Sequence, residues 1–184
     1  MDEVLAFMVN KDWEKDEKAS RKIYLHKIAR ESSKNDDSAQ KIGGMLIYNQ
    51  IIEQLLREII IGSIAYVKAE IWPAEVQLDF KFNKMPLGNL ISSFEQYATK
   101  ETNRQVIIEE LRYYSEKRNA VVHKLFEISD IENLLEEIVE YDAVAEEIIG
   151  LLLQYYDDIC SKFYDLENRV DFDILFESFG DEED

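Results

Sequence analysis

The residues of this 184-residue chain best suited to chemistry are Arg118, Asn119 and His123. A histidine titrates near neutral pH, so it can take a proton from a hydroxyl or give one to a leaving oxygen. A guanidinium stays charged and can hydrogen-bond two non-bridging oxygens of a phosphorane transition state. Asn119 would position the phosphate or orient the histidine. Together these residues could cleave RNA by attack of its 2′-hydroxyl on the adjacent phosphorus.

A helix over about 103–126 must position these residues. At about 100° per residue, Asn119 and His123 are one turn apart and share a face. Arg118 lies about 140° from His123, so only its long side chain could swing toward the same site. Tyr114, one turn before Arg118, could steer the guanidinium by stacking on it. The supporting or substrate-binding residues predicted on this helix are Tyr114, Lys117 and Lys124.

The same arginine-to-histidine spacing occurs a second time, between Arg21 and His26. We favour the later copy because Asn119 follows its arginine and because it comes after strongly amphipathic helices. The polar and aromatic residues before it, 113–117, also suit the lining of a cleft. We expect His26 to be a surface or partly buried helix residue, and the role of the earlier copy stays open.

The Arg118-Asn119-x-x-x-His123 pattern in a helical sequence resembles the signature of the HEPN superfamily. Members of this family are small helical bundles, and many of them are ribonucleases. The resemblance covers about residues 40–165. It implies a homodimer in which two copies of the motif face each other, so that each cleft gains two histidines. It also implies products with a 2′,3′-cyclic phosphate and a 5′-hydroxyl, with no metal and no cofactor.

The resemblance further suggests a toxin or phage-defence endoribonuclease, because many small HEPN proteins act there. An antitoxin or another regulatory protein would then restrain the activity. If that antitoxin transfers a nucleotide, Tyr113, Tyr114 or Ser115 beside the motif could accept it. RNA would bind only in a local cleft. Retained motifs do not guarantee catalysis, so a non-catalytic HEPN-like interaction or scaffold protein is the alternative.

The charge of the chain supports that alternative in part. The net charge of −18 lies entirely in residues 127–184, because residues 1–126 hold 19 basic and 19 acidic residues. An acidic surface repels nucleic acid, which counts against a module with a broad basic footprint. The acidic third could instead bind a basic partner, or it could be a solvated helix face that aids solubility.

Composition excludes other classes of protein. Two histidines and one cysteine cannot build a zinc site of Cys/His spacing, and we expect Cys160 to be buried as a small hydrophobe. The first residues lack the pattern of a secretory signal, and the most apolar stretch, 51–67, is too short and too charged to span a bilayer. We therefore predict a cytoplasmic protein that does not bind membranes.

The sequence predicts an all-α fold, an up-and-down bundle of four to five helices in a single domain over 1–184. Scarce glycine and proline and three-four apolar spacing favour long helices. The predicted helices are a weaker one within 1–36, one from about 38 ending at Trp72-Pro73, one from Pro86 to about 98, one over 103–126, and one from about 129 to 168. Alternating residues predict a short extended segment over 76–82, and residues 170–184 form an acidic tail.

Overall fold

The computed structural model describes residues 17–35, 37–71, 82, 85–99, 103–126 and 131–169. Within these ranges the chain forms five helices, and no strand is present. They are α1 (Glu17–Ser33), α2 (Ser38–Glu70), α3 (Leu87–Tyr97), α4 (Arg104–Phe126) and α5 (Ile131–Arg169). The predicted all-α fold is therefore confirmed. The predicted extended segment and acidic tail lie outside the described residues, except that Phe82 is described and is buried.

Local signals in the sequence fix the ends of two helices. Asp37 caps the start of α2, where its side-chain oxygen accepts a hydrogen bond from the backbone N–H of Gln40 at 3.0 Å. The helix ends at Glu70 with Ile71 as its C-cap, directly before Trp72-Pro73 as predicted. Pro86 is the N-cap of α3, a position that needs no backbone N–H of its own.

The first two helices run antiparallel. The ammonium of Lys22, early in α1, pairs with the carboxylate of Glu58, late in α2. At the other end of the pair, α1 approaches α2 closely at Gly44. A Cβ atom placed on Gly44 would lie 3.1 Å from the carbonyl oxygen of Ala29. This close approach brings the C-terminal end of α1 beside the N-terminal part of α2.

The longest helix, α5, runs parallel to α2 and packs along most of it. The hydroxyl of Tyr48 donates to a carboxylate oxygen of Glu146 at 2.8 Å near the beginning of both helices. Near their ends, the rings of Tyr66 and Phe163 meet edge to face with centroids 5.6 Å apart. The two apolar faces predicted from three-four spacing meet along this contact.

Helix α4 runs antiparallel to α5, and α3 lies against the middle of the bundle. Tyr114 of α4 stacks on Tyr141, near the start of α5. Thr99, before α4 begins, accepts a hydrogen bond from Tyr155, further along α5. The ring of Phe94 in α3 packs 5.2 Å from that of Tyr155. The four longer helices therefore alternate in direction along the chain, as expected for an up-and-down bundle.

The core lies between these helices and consists mainly of branched aliphatic and aromatic residues. The prediction that Cys160 is buried is wrong, because the structure places Cys160 on the exposed side of α5. The neighbouring Ile159 is buried instead. Consecutive residues differ by about 100° around a helix, so an apolar neighbour does not bring a residue onto the buried face.

Candidate functional site

The predicted site residues lie on the C-terminal half of α4 and face different surroundings. Arg118 is partly buried, whereas Asn119 and His123 are exposed. Lys117 is partly buried, and its ammonium lies 5.7 Å from the centroid of the Tyr113 ring. The side chain of Lys124 lies outside the described residues. Asn119 and His123 thus share an outer face, as the spacing predicted, while Arg118 turns toward the bundle.

Arg118 lies beside two buried tyrosines. Burial raises the pKa of Tyr114 far above its ordinary value, and the nearby charge of Arg118 opposes that rise. The same holds for Tyr141, whose pKa burial raises and Arg118 partly lowers. The Nε atom of Arg118 is buried and has no hydrogen-bond partner among the described residues. Arg118 lies one turn beyond Tyr114 on the same face of α4, and the hydrogen-bonding capacity of its guanidinium is incompletely used.

The two phenols belong to a buried polar layer that joins three helices. Tyr114 of α4 and Tyr141 of α5 both donate to the side-chain oxygen of Asn49 in α2, at 2.9 and 2.6 Å. The amide nitrogen of Asn49 donates to the carbonyl of Met45 at 3.1 Å. Each phenol thus donates a hydrogen bond to Asn49, and the lone pairs of its oxygen can still accept one.

Tyr114 is placed differently from the sequence-based expectation. Its ring stacks on Tyr141, with centroids 4.5 Å apart and 22° between the planes. No cation–π contact between Tyr114 and Arg118 occurs among the described residues. Tyr114 is also fully buried, so its hydroxyl is not accessible to a modifying enzyme. Tyr113, which is 47% exposed, is the tyrosine beside the motif that remains accessible.

Asp142, which directly follows Tyr141 on α5, carries a buried carboxyl group. It is 4% exposed, and neither of its oxygens has a hydrogen-bond partner among the described residues. Burial and, second, the charge of Glu146 raise the pKa of Asp142 to about 7, with Lys41 opposing the rise. Asp142 therefore changes its protonation state close to neutral pH.

Glu146 connects this carboxyl group to the first helix. It accepts a hydrogen bond from Tyr48 and lies 3.4 Å from Nε of Arg30 in α1. The ring of His26 meets that of Tyr48 edge to face, with centroids 6.0 Å apart, and its Nε2 atom is buried without a partner in the described part of the chain. His26 is partly buried, as expected, and Arg21 of the same motif copy is exposed.

The geometry limits what one copy of the chain can do. His123 lies about 7.5 Å further along α4 than Arg118 and about 140° around it. It is the only histidine of the later motif, so one copy offers a single proton-transfer group beside the arginine. Among the described residues, no group of three or more His, Cys, Asp or Glu side chains could hold a metal ion.

Two buried polar residues near the motif were not predicted from the sequence, Asn49 of the polar layer and Asp142 beside it. Each follows a tyrosine directly, in Tyr48-Asn49 and Tyr141-Asp142, on a helix whose seam is otherwise apolar. A polar residue beside an aromatic residue on an apolar seam is the signal that could have indicated them. Their burial could not be deduced from one helix alone, because it depends on the neighbouring helices.

No protein-family model matches this chain, and no curated protein and no solved structure matches it. Within the described ranges, none of the helices has the length and apolar character needed to cross a membrane.

Proposed function

We propose that this protein is a HEPN-like endoribonuclease that needs no metal and forms its cleft between two copies of α4. The observation that carries the proposal is the placement of the motif at one end of the bundle. Arg118 is partly buried, one turn beyond the buried Tyr114, while Asn119 and His123 remain exposed on the same helix. A partly buried cation supplies a fixed positive charge, and an exposed histidine can reach a substrate.

In this proposal two copies of His123 divide the proton transfers. One takes the proton of the RNA 2′-hydroxyl while its oxygen forms a bond to phosphorus. The bond from phosphorus to the 5′-oxygen breaks, and the second His123, in its protonated form, gives that oxygen a proton. Arg118 stabilises the extra negative charge on the non-bridging oxygens, and Asn119 orients the phosphate. The products are a 2′,3′-cyclic phosphate and a 5′-hydroxyl.

An exposed apolar stripe on α4 supports the pairing of two copies. Val106, Tyr113 and Ala120 recur at intervals of seven residues, and all three are exposed. Val106 is 52% exposed and Tyr113 is 47% exposed. A seven-residue apolar repeat is typical of helices that pair along their length. His123 lies one turn beyond Ala120, so pairing around Ala120 would bring two histidines together.

A second candidate function, binding of a basic partner without catalysis, is supported by the outer face of α5. Its exposed acidic residues are Glu136, Glu140, Glu147, Asp157, Asp158 and Asp165. Such a face attracts basic surfaces and repels RNA. In this alternative, binding would survive the loss of Arg118 and His123.

Cleavage of RNA by the purified protein in EDTA tests the proposed function. We expect Arg118→Ala and His123→Ala each to lower the rate by about a hundredfold or more. Arg112→Ala is the matched control, because Arg112 is an exposed arginine of the same helix that pairs with Glu95 at 2.6 Å. It should cleave at the wild-type rate. Absence of cleavage, or equal cleavage by all variants, would favour the interaction protein.

The dimer requirement has its own measurement. Tyr113→Glu places a charge on the exposed stripe of α4, and we expect sedimentation to show a monomer that no longer cleaves RNA. Glu109→Gln, which changes an exposed residue of the same helix without adding charge, should stay dimeric and active. A cleaving monomer would refute the two-copy cleft while leaving the ribonuclease proposal standing.

A further inference from the structure

The outer face of α1 is basic in a chain that is strongly acidic overall. Lys27, Arg30 and Lys34 are all exposed, and we call them the basic stripe. At about 100° per residue, Ile23, Lys27 and Arg30 fall within roughly 60° of one another, and Lys34 directly follows Ser33, the last residue of the helix. Ile23 and Tyr24 are 65% and 63% exposed. The stripe thus combines three cations with an uncovered aromatic ring one turn away.

The basic stripe lies at the same end of the bundle as the α4 motif. The contact of Gly44 with Ala29 places the last turns of α1 beside the start of α2. The hydrogen bond from Tyr114 to Asn49 places the second half of α4 beside the same part of α2. Because α1 and α4 both run antiparallel to α2, their C-terminal ends lie at the same end of the bundle. An extended ligand held by α1 could therefore reach the motif.

We propose that the basic stripe and Tyr24 bind the single-stranded RNA whose phosphodiester the α4 site cleaves, an assignment that rests on the proposed function. Cations contact the phosphates, and an exposed aromatic ring stacks on a base. From Lys27 to the end of α1 at Ser33 the stripe extends about 9 Å, since each of the six residues adds about 1.5 Å, and Lys34 lies directly beyond. Charge alone would also attract an acidic peptide, but such a peptide has no base to stack on Tyr24.

The acidic charge of α5 repels RNA from the face of the bundle that this helix forms. Exposed carboxylates follow α5 along its length, and like charges repel a phosphate backbone. Exposed charges act over about 10 Å at ordinary ionic strength, so the basic stripe attracts RNA only locally. This explains how a chain of net charge −18 could hold an RNA strand at all.

Fluorescence anisotropy with labelled oligouridylate tests the assignment. The parent protein carries Arg118→Ala and His123→Ala, so the RNA stays intact. We expect the double variant Lys27→Gln, Lys34→Gln to raise the Kd for RNA about tenfold or more. The plot of the logarithm of the association constant against the logarithm of salt concentration should become less steep by about 1.4. Arg30 is left unchanged because it lies against Glu146. Tyr24→Ala should weaken binding about fivefold or more, whereas Tyr24→Phe should bind like the parent.

The matched control replaces two lysines at the opposite end of the bundle, Lys68→Gln with Lys162→Gln, which changes the net charge equally. Equal weakening by both double variants would overturn the assignment, because general electrostatics would then explain the binding. Binding of polyglutamate to the stripe in place of RNA would overturn it in favour of an acidic protein partner. No RNA binding by the parent would also overturn it.

The two proposals fail separately. If RNA binds through the stripe but the wild-type protein does not cleave it, the ribonuclease proposal fails and the binding surface stands. If the wild-type protein cleaves RNA and the Lys27→Gln, Lys34→Gln double variant cleaves it with unchanged KM, the surface assignment fails and the ribonuclease stands. If both proposals hold, the double variant raises KM and leaves kcat near that of the wild type.

Discussion

Replacing Asp142 with asparagine should stabilise the protein above neutral pH and remove much of the pH dependence of its unfolding. In the folded state, burial first and Glu146 second raise the pKa of Asp142 from its ordinary value of 3.8 to about 7. In the unfolded state the group ionises near its ordinary value. The folded state therefore holds more protons between these two values, and stability falls as pH rises through that interval.

The size of the effect follows from the same two values. The folded and unfolded pKa values of Asp142 differ by about three units. At about 1.4 kcal/mol per unit, the loss of unfolding free energy has an upper value of about 4 kcal/mol. The side chain is 4% exposed, so solvent screens its charge little. The loss of stability is complete above about pH 7. There the folded state must hold the ionised carboxylate of Asp142 without a hydrogen-bond donor in the described structure. Asparagine has nearly the same shape and stays neutral.

Urea denaturation at about pH 5 and about pH 8 measures this prediction. We expect Asp142→Asn to gain stability relative to the wild type at the higher pH, and much less at the lower pH. Glu140→Gln is the control, because it removes a carboxylate from the exposed face of the same helix. If the wild type and Asp142→Asn differ by the same amount at both pH values, the reasoning about the buried proton is refuted.

Two further changes test the packing. Gly43→Ala should stabilise α2 by about 1 kcal/mol through helix propensity, because nothing lies within 4 Å of the added Cβ, whereas Gly44→Ala should gain less or lose stability against the Ala29 carbonyl. Equal thermal midpoints for the two variants would contradict this. Asn49→Leu should cost about 2–5 kcal/mol, because it leaves two buried phenols without their acceptor. The double variant Asn49→Leu, Tyr141→Phe should recover part of that loss of stability in urea denaturation. If the stability losses of the two single variants simply add, the idea of a shared acceptor is refuted.

The helices and the ends of α2 were predictable because local sequence determines them. The cap at Asp37 depends on Gln40 three residues later, and the end of α2 depends on Trp72-Pro73. The apolar seams followed from the spacing within each helix. These features need no knowledge of neighbouring helices, so one sequence was enough to indicate them.

The polar layer was not predictable because it depends on contacts between distant residues. Asn49 and Tyr141 are 92 positions apart, and nothing near Asn49 in the sequence marks its two donors. The motif on α4 was identified from its spacing, but the spacing did not reveal that Arg118 adjoins buried phenols. The prediction that Cys160 is buried was wrong for a related reason. Apolar neighbours in the sequence do not decide which side of a helix faces the core.

The shared acceptor in the polar layer has a consequence for how this sequence can diverge. Asn49 accepts hydrogen bonds from two other helices, so its loss as a first step leaves both Tyr114 and Tyr141 without an acceptor. Loss of one phenol first leaves the amide with the remaining donor, which is a milder intermediate. A lineage that replaces this layer with apolar residues is therefore expected to lose a tyrosine hydroxyl before it loses the asparagine. Descendants with an apolar residue at position 49 should carry phenylalanine at one or both tyrosine positions.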